Sequence, residues 1–394
     1  MNAPFERHLL RALRAPKRIF RRKLQFEPLE QRLLLSADGV SPNAPDLLKT
    51  VDSDNLTAAL VQESQASPTV IIDALRAQLR AAGWANEPID SGFVELDTGD
   101  PDVRRIASLD GTIDALIGPS GRDNEWRVTG EDEVELNGVA YSGVNVLLGG
   151  ADNTDTFIFE PDGRVSGYIE GGPGGFDVIE LAGGTFGTVE YTTRGPDSGT
   201  IARDADVIDY AGMEPIVDAT GGATRIFNGT GAADNIRLAD RGDPGDGTFV
   251  ISIDTGEDVI FTDAGAIDHL IINGLGGADT ITLGPMGELD AGAVLTVDAG
   301  EGDDTIELVL HFLFLDDDVT YSVEGGAGSH DEVSVLTEQD VTLTDTALNT
   351  VALSGIERAR IVTSANTVGC MKYPLPVPIS VRLPPATSDA PRRR

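Results

Sequence analysis

The chain has 394 residues and a formal net charge of -36, and its acid is concentrated: residues 131 to 366 hold 45 Asp and Glu against 8 Arg and no Lys. A body so anionic repels nucleic acid and anionic membranes, so neither is expected as a partner. The single cysteine, Cys370, excludes an intramolecular disulfide, and the longest leucine cluster, Leu33 to Leu35, is far short of the roughly 18 apolar residues of a membrane span, so no transmembrane segment is expected.

Residues 1 to 38 form a basic segment in which Arg7, Arg11, Arg14, Lys17, Arg18, Arg21, Arg22 and Lys23 face one early acid, Glu6. Residues 39 to 66 mix Ser, Asn, Asp, Pro and Gln without period and read as a linker. In the small region 67 to 125 a short helix is predicted from Pro68 to Ala82. Ser67 can cap it, Ile71, Leu75, Leu79 and Ala82 share a face, and Gly83 can end it.

From about Trp126 the pattern becomes short alternating or aliphatic runs bounded by Gly, Asp or Asn, such as Val144 to Leu148, Phe249 to Ile253, Leu270 to Ile272, Val294 to Val297 and Val341 to Leu343. Residues 126 to 366 are therefore read as an acidic all-β region, with a core of stacked aliphatics because aromatics are only 5% of the chain. The last residues, 367 to 394, are rich in Pro and Arg and are predicted to be a disordered tail.

Six Gly-Asp turns recur in the β region, starting at Gly149, Gly171, Asn228, Asn273, Ala299 and Gly325 and spaced by 22, 57, 45, 26 and 26 residues. The two long gaps are each close to two units, which predicts a parallel β-solenoid or β-roll-like array with coils of about 22 to 28 residues. Gly supplies the positive φ of the tight corners, and Asp at the same corner is expected to face solvent or an ion.

Ala299-Gly-Glu-Gly-Asp-Asp-Thr-Ile-Glu307 resembles the Gly-Gly-x-Gly-x-Asp-x-apolar-x nonapeptide of RTX (hemolysin-type) calcium-binding repeats. The turns at Gly149, Gly171, Asn273 and Gly325 carry one additional residue before the Asp. The resemblance implies calcium as the cofactor, with turn carbonyls and carboxylates as ligands: Asp152, Asp155, Asp177, Asp279, Gly300, Gly302, Asp303, Asp304 and Asp331.

A second resemblance lies in Phe26 to Asp38, which is similar to the LEPR-XLL motif of large bacterial surface or exported proteins. Leu29, Glu30, Arg32, Leu34, Leu35, Ser36 and Ala37 agree with it, and Gln31 stands where the motif has proline. It implies an extracellular or cell-surface location, an adhesin-like or structural role, and surface glycans or other surface proteins as partners. Chains of that family run on through many more repeats, so a truncated or frame-shifted product of a larger protein is an expectation.

Parallel β-helices also host carbohydrate-active enzymes, which is the alternative function. Among 45 acids carboxylate pairs arise by chance, the arginines are scattered, and His269, His311 and His330 lack ligand spacing. The expectation is a module without enzymatic activity and with no catalytic residue.

Overall fold

The computed structural model describes residues 93 to 381 apart from short internal segments, the longest being 311 to 318. The chain divides into two units, Met1–Lys49 and Thr50–Arg394, and all described residues lie in the second. The basic segment 1 to 38, the linker and the helix predicted at Pro68 to Ala82 fall outside the described residues.

Among the described residues there is no helix, and the strands form one sixteen-stranded and one fourteen-stranded sheet, both mostly parallel. Side-chain alternation decides the inner face. Val294–Asp298 buries Leu295 and Val297, and Phe249–Ile253 buries Phe249, Ile251 and Ile253, while the intervening residues stay partly exposed. Full burial of each such side chain contributes about 1.5–3 kcal/mol, so each pair of strands adds its own increment of core.

In the C-terminal half the chain alternates between sheets. His269–Asn273, Val294–Asp298, Thr320–Glu324 and Val351–Ser354 lie side by side in the larger sheet. Thr280–Leu283, Thr305–Leu310, Glu332–Thr337 and Arg358–Thr363 do so in the smaller one. Every neighbour is parallel and like positions stack: Ile272 pairs with Val297, which pairs with Val323, and Ile281 pairs with Ile306, which pairs with Val333.

The long gaps are not pairs of equal units. The first holds an antiparallel hairpin, Ser198–Arg203 with Asp206–Ala211, inserted into the larger sheet between Tyr168–Glu170 and Thr185–Gly195. The second holds Phe249–Ile253 with Val259–Phe261, inserted into the smaller sheet between Ile216–Asp218 and Asn235–Asp240. Each insertion widens its own sheet by about 10 Å, from a strand spacing of about 4.8 Å. One hairpin per sheet keeps the two faces matched, so the parallel stacking resumes at Asn235–Asp240 and Thr280–Leu283.

The core is not purely aliphatic. Its N-terminal half buries Trp126, Phe157, Phe159, Phe227, Phe249 and Phe261, with Trp126 stacked on Phe157 at 5.2 Å and Phe249 on Phe261 at 4.4 Å. Tyr210 lies on the first inserted hairpin and Phe249 and Phe261 on the second, where rings add apolar volume to the core. Two arginines are buried there with partners: Arg225 Nε donates to Asp218 Oδ2 at 2.8 Å, and Arg203 lies over the rings of Phe159 and Phe186 and donates to the carbonyl of Gly163.

Two expected boundaries move. Residue 126 falls inside the strand Asn124–Gly130, and three antiparallel strands from Phe93–Leu96 to Asp114–Ile117 already belong to the larger sheet. The tail expected to be disordered carries strands at both Thr367–Lys372 and Ile379–Val381. They pair antiparallel with Arg358–Thr363 and Val341–Leu343, because the outer strand of each sheet leaves a row of main-chain groups that a returning segment can satisfy.

Candidate metal centre in the Gly-Asp turns

Each turn leaves the larger sheet at a small residue and enters the smaller sheet at or just after an aspartate. The strand pairing aligns Gly274 with Ala299, because Asn273 pairs with Asp298 and ends its strand. Asn273 therefore lies outside the turn, and Gly274 to Asp279 has the same length as Ala299 to Asp304. Its apparent additional residue is a strand residue, whereas Gly325 to Asp331 retains one more. Gly300 and Gly302 have φ of 99° and 144°, and a Cβ on Gly302 would collide with the Gly277 carbonyl of the preceding coil. Leu275 occupies the place of Gly300 one coil earlier and holds φ of 73°, a conformation costly for leucine.

Solvent, one of the two surroundings expected for the turn aspartates, is not what six of them face. Asp155, Asp177, Asp234, Asp279, Asp304 and Asp331 are all buried, and they form two runs of a ladder. The Asp155 N–H donates to Asp177 Oδ1 at 2.7 Å, across 22 residues. In the second run the Asp234 N–H donates to Asp279 Oδ1, Asp279 N–H to Asp304 Oδ1 and Asp304 N–H to Asp331 Oδ1, at 2.8, 2.8 and 2.9 Å. The Asp331 N–H donates to Glu357 Oε2 at 2.8 Å, which ends the run. The cause is main-chain arithmetic: at a corner the amide lies beyond the sheet ladder, and a buried N–H needs an acceptor. The carboxylate of the next coil is the acceptor in reach.

The same geometry explains the small residue at the start of the turn. A Cβ on Gly149, Gly171 or Gly229 would stand 2.7–2.8 Å from Oδ2 of the aspartate of its own turn. The carboxylate folds back over the bare Cα, so glycine and aspartate form one packing unit.

The ladder occupies one carboxylate oxygen of Asp177, Asp279, Asp304 and Asp331, while Asp155 and Asp234 head their runs as N–H donors and their carboxylates accept from other groups. Asp155 is complete, since Oδ1 accepts from Trp126 Nε1 and Asn124 Nδ2 and Oδ2 accepts from Gly150 N–H and Asn153 Nδ2. Oδ2 of Asp279, Asp304 and Asp331 is buried without a hydrogen-bond partner. Burial pushes the Asp177 carboxyl up to about 8, with Asp155, Glu170 and Glu214 adding repulsion against its hydrogen bond to the Asp155 amide. Burial likewise raises Asp279 and Asp331 to about 6, and raises Asp155 and Asp304 above their ordinary range.

The nine residues expected as calcium ligands are thus divided. Asp155, Asp177, Asp279, Asp304 and Asp331 stand in the buried ladder, and Asp152 and Asp303 are exposed. Asp303 Oδ1 accepts from the Ser329 N–H and Oγ, Oδ2 lies 3.3 Å from His330 Nδ1, and the Ser329 amide bond and His330 hold its carboxyl below the ordinary value. The Gly300 carbonyl accepts the Ala327 N–H, and the Gly302 N–H donates to the Ala327 carbonyl. Sequence reasoning omitted Asp234 and Glu357 from the site. The Asn228 turn was visible as a source for the first, and Gly355-Ile-Glu357 is a shortened turn whose longer acid replaces the missing residues.

Among the described residues no three His, Cys, Asp or Glu side chains converge as a metal-holding group. The donor chemistry nevertheless suits a hard cation at the level of single atoms, through the unpartnered Oδ2 atoms of Asp279, Asp304 and Asp331. Calcium takes about six to eight oxygens, so main-chain carbonyls or water would have to supply most of its shell. Comparison with protein-family models, with curated proteins and with solved structures finds no match.

Proposed function

We propose that the chain is an exported or cell-surface module without enzymatic activity, built as a closed parallel β-solenoid and serving a structural or adhesin-like role, with calcium as counter-ion to the turn carboxylates. One observation carries this reading: the second run of the aspartate ladder is in step with the parallel strands, coil by coil, from Asp234 to Glu357. An acid committed to its neighbour's amide holds coils together. It also explains the perturbed carboxylates without a reaction, since burial against the next coil is what raises them. The LEPR-XLL-like run and its basic flank support the export or surface assignment, and glycans or other surface proteins are the partners proposed with it.

Calcium is supported by the partnerless Oδ2 atoms and by the RTX-like turn at Ala299 to Glu307. In this reading Asp279, Asp304 and Asp331 each present one carboxylate oxygen to the ion, and the ion offsets charges that otherwise repel along the ladder. Thermal melts of the full chain in calcium, in matched magnesium and in chelator test it. Calcium is expected to raise the Tm well beyond magnesium; coincident melts would remove calcium from the proposal and leave the ladder as a purely protein device.

A further inference from the structure

The geometry points to the junction of the two inserted hairpins as a binding site for a primary ammonium group on an unbranched alkyl stem, as carried by a lysine side chain. The site lies outside the Gly-Asp turns and depends on neither the calcium reading nor the surface reading.

Three connections meet there. Pro196-Asp197 turns the chain from Thr185–Gly195 into Ser198–Arg203, Gly212 to Pro215 leads from Asp206–Ala211 to Ile216–Asp218, and Asp254 to Asp258 joins Phe249–Ile253 to Val259–Phe261. The Met213 N–H donates to the Asp197 carbonyl at 3.3 Å, and the Ile216 N–H donates to the Asp258 carbonyl at 3.0 Å. A Cβ on Gly256 would stand 2.3 Å from Thr193 Cγ2, so the turn of the second hairpin packs directly on the strand that feeds the first.

Two buried polar side chains reach this junction without partners. Glu257 is 7% exposed and Tyr210 is 4% exposed, and among the described residues neither the Glu257 carboxylate nor the Tyr210 hydroxyl makes a hydrogen bond or an ion pair. They come from different hairpins. Tyr210 pairs with Gly199, where a Cβ would stand 2.7 Å from the Tyr210 hydroxyl, so glycine leaves the space that the phenol uses. Burial raises the Tyr210 hydroxyl above the ordinary tyrosine range, and Glu257 is the strongest charge acting on it. Burial pushes the Glu257 carboxyl up to about 8, with the exposed acids Glu214, Asp197 and Asp258 adding repulsion. Arg194, the cation that acts on Tyr210, is held by both oxygens of Asp209 at 2.9 and 3.1 Å.

A buried carboxylate and a buried hydroxyl oxygen without partners, ringed by acids, call for a cation. No three acidic side chains converge there as a metal-holding group, and calcium takes about six to eight oxygens. An ammonium carries three donors and no acceptor, so Glu257 and Tyr210 supply two of the oxygens it needs and the acids around them supply the attracting field. The slight exposure of both groups admits a slim stem and excludes an amine mounted on a sugar ring.

The test titrates the full chain with Nα-acetyl-lysine methylamide by calorimetry in low salt at about pH 8.5, where Glu257 is largely ionised and the amine is still charged. Saturable binding is expected, and none by the neutral isostere Nα-acetyl-norleucine methylamide. Glu257→Gln is expected to weaken binding at least about tenfold and Tyr210→Phe about two- to tenfold, while Asp162→Asn, which removes the same charge at an exposed site, leaves it unchanged. Circular dichroism shows whether each variant is folded; if Glu257→Gln unfolds, Tyr210→Phe and the neutral isostere decide. Absence of saturable binding, equal binding by the isostere, or equal losses in Glu257→Gln and Asp162→Asn overturns the inference. Glucosamine binding as tightly as the lysine probe refutes the slim stem, and displacement of the probe by equimolar calcium assigns the junction to a metal and refutes the ammonium.

Discussion

Asp304 separates the two roles a turn aspartate can have, and two substitutions suffice. Its Oδ1 accepts the buried Asp279 N–H at 2.8 Å, while its Oδ2 has no partner. Asp304→Ala removes the acceptor and strands the amide, a loss of about 1–3 kcal/mol. With a melting slope of about 2–4 °C per kcal/mol, the Tm falls by about 2–12 °C. Asp304→Asn keeps an oxygen where Oδ1 stands and removes the charge whose burial pushes this carboxyl upward. Its amide group also replaces the partnerless oxygen with a donor; one coil earlier the corresponding oxygen and the Ala299 carbonyl both crowd Gly274, so a carbonyl is at hand. In chelator at pH 8 the Asn variant is expected to melt at or above the wild-type temperature and the Ala variant below it. Hydrogen exchange supplies the local readout: the Asp279 amide stays protected in wild type and Asn and loses protection in Ala. Equal losses in the two variants, or a protected Asp279 amide in Ala, would refute the ladder argument.

Two further predictions use the same corner. The folded-state values of Asp177, about 8, and of Asp279 and Asp331, about 6, lie above the ordinary 3.8. The native state therefore binds protons more tightly than the unfolded chain, so stability in chelator is greatest near the ordinary carboxylate value and declines as pH rises through 6 and 8; melts at pH 5, 6.5 and 8 check it, and a Tm that climbs over that range contradicts the burial argument. Leu275→Gly is expected to leave stability within about 1 kcal/mol of wild type despite losing a large apolar side chain, because Leu275 is 47% exposed and sits at φ of 73°. Release of about 1–2 kcal/mol of left-handed strain offsets about 1 kcal/mol of lost burial and about 0.5–1 kcal/mol of added backbone freedom, and a loss of about 3 kcal/mol in denaturant titration would contradict the strain.

The all-β class and the turn positions were legible in the amino-acid sequence because both are local properties. Alternation at period two marks Val294–Asp298 and Phe249–Ile253 as half-buried strands wherever they pair, and Gly300 and Gly302 announce corners that other residues enter only under strain. What alternation cannot state is the partner. Phe249–Ile253 reads the same as Val294–Asp298, yet one pairs antiparallel in an inserted hairpin and the other parallel in the stack, since the choice depends on which sheet edge is free when the strand arrives. The direction of the turn aspartates was hidden for the same reason. An acid beside glycine at a corner predicts exposure when its own coil is considered alone, and only the next coil, with an amide 22 to 45 residues away that needs an acceptor, draws the carboxylate inward. Local backbone chemistry thus determined where the chain turns, while tertiary stacking decided what each turn residue faces, because a buried amide is satisfied by whatever folding brings beside it.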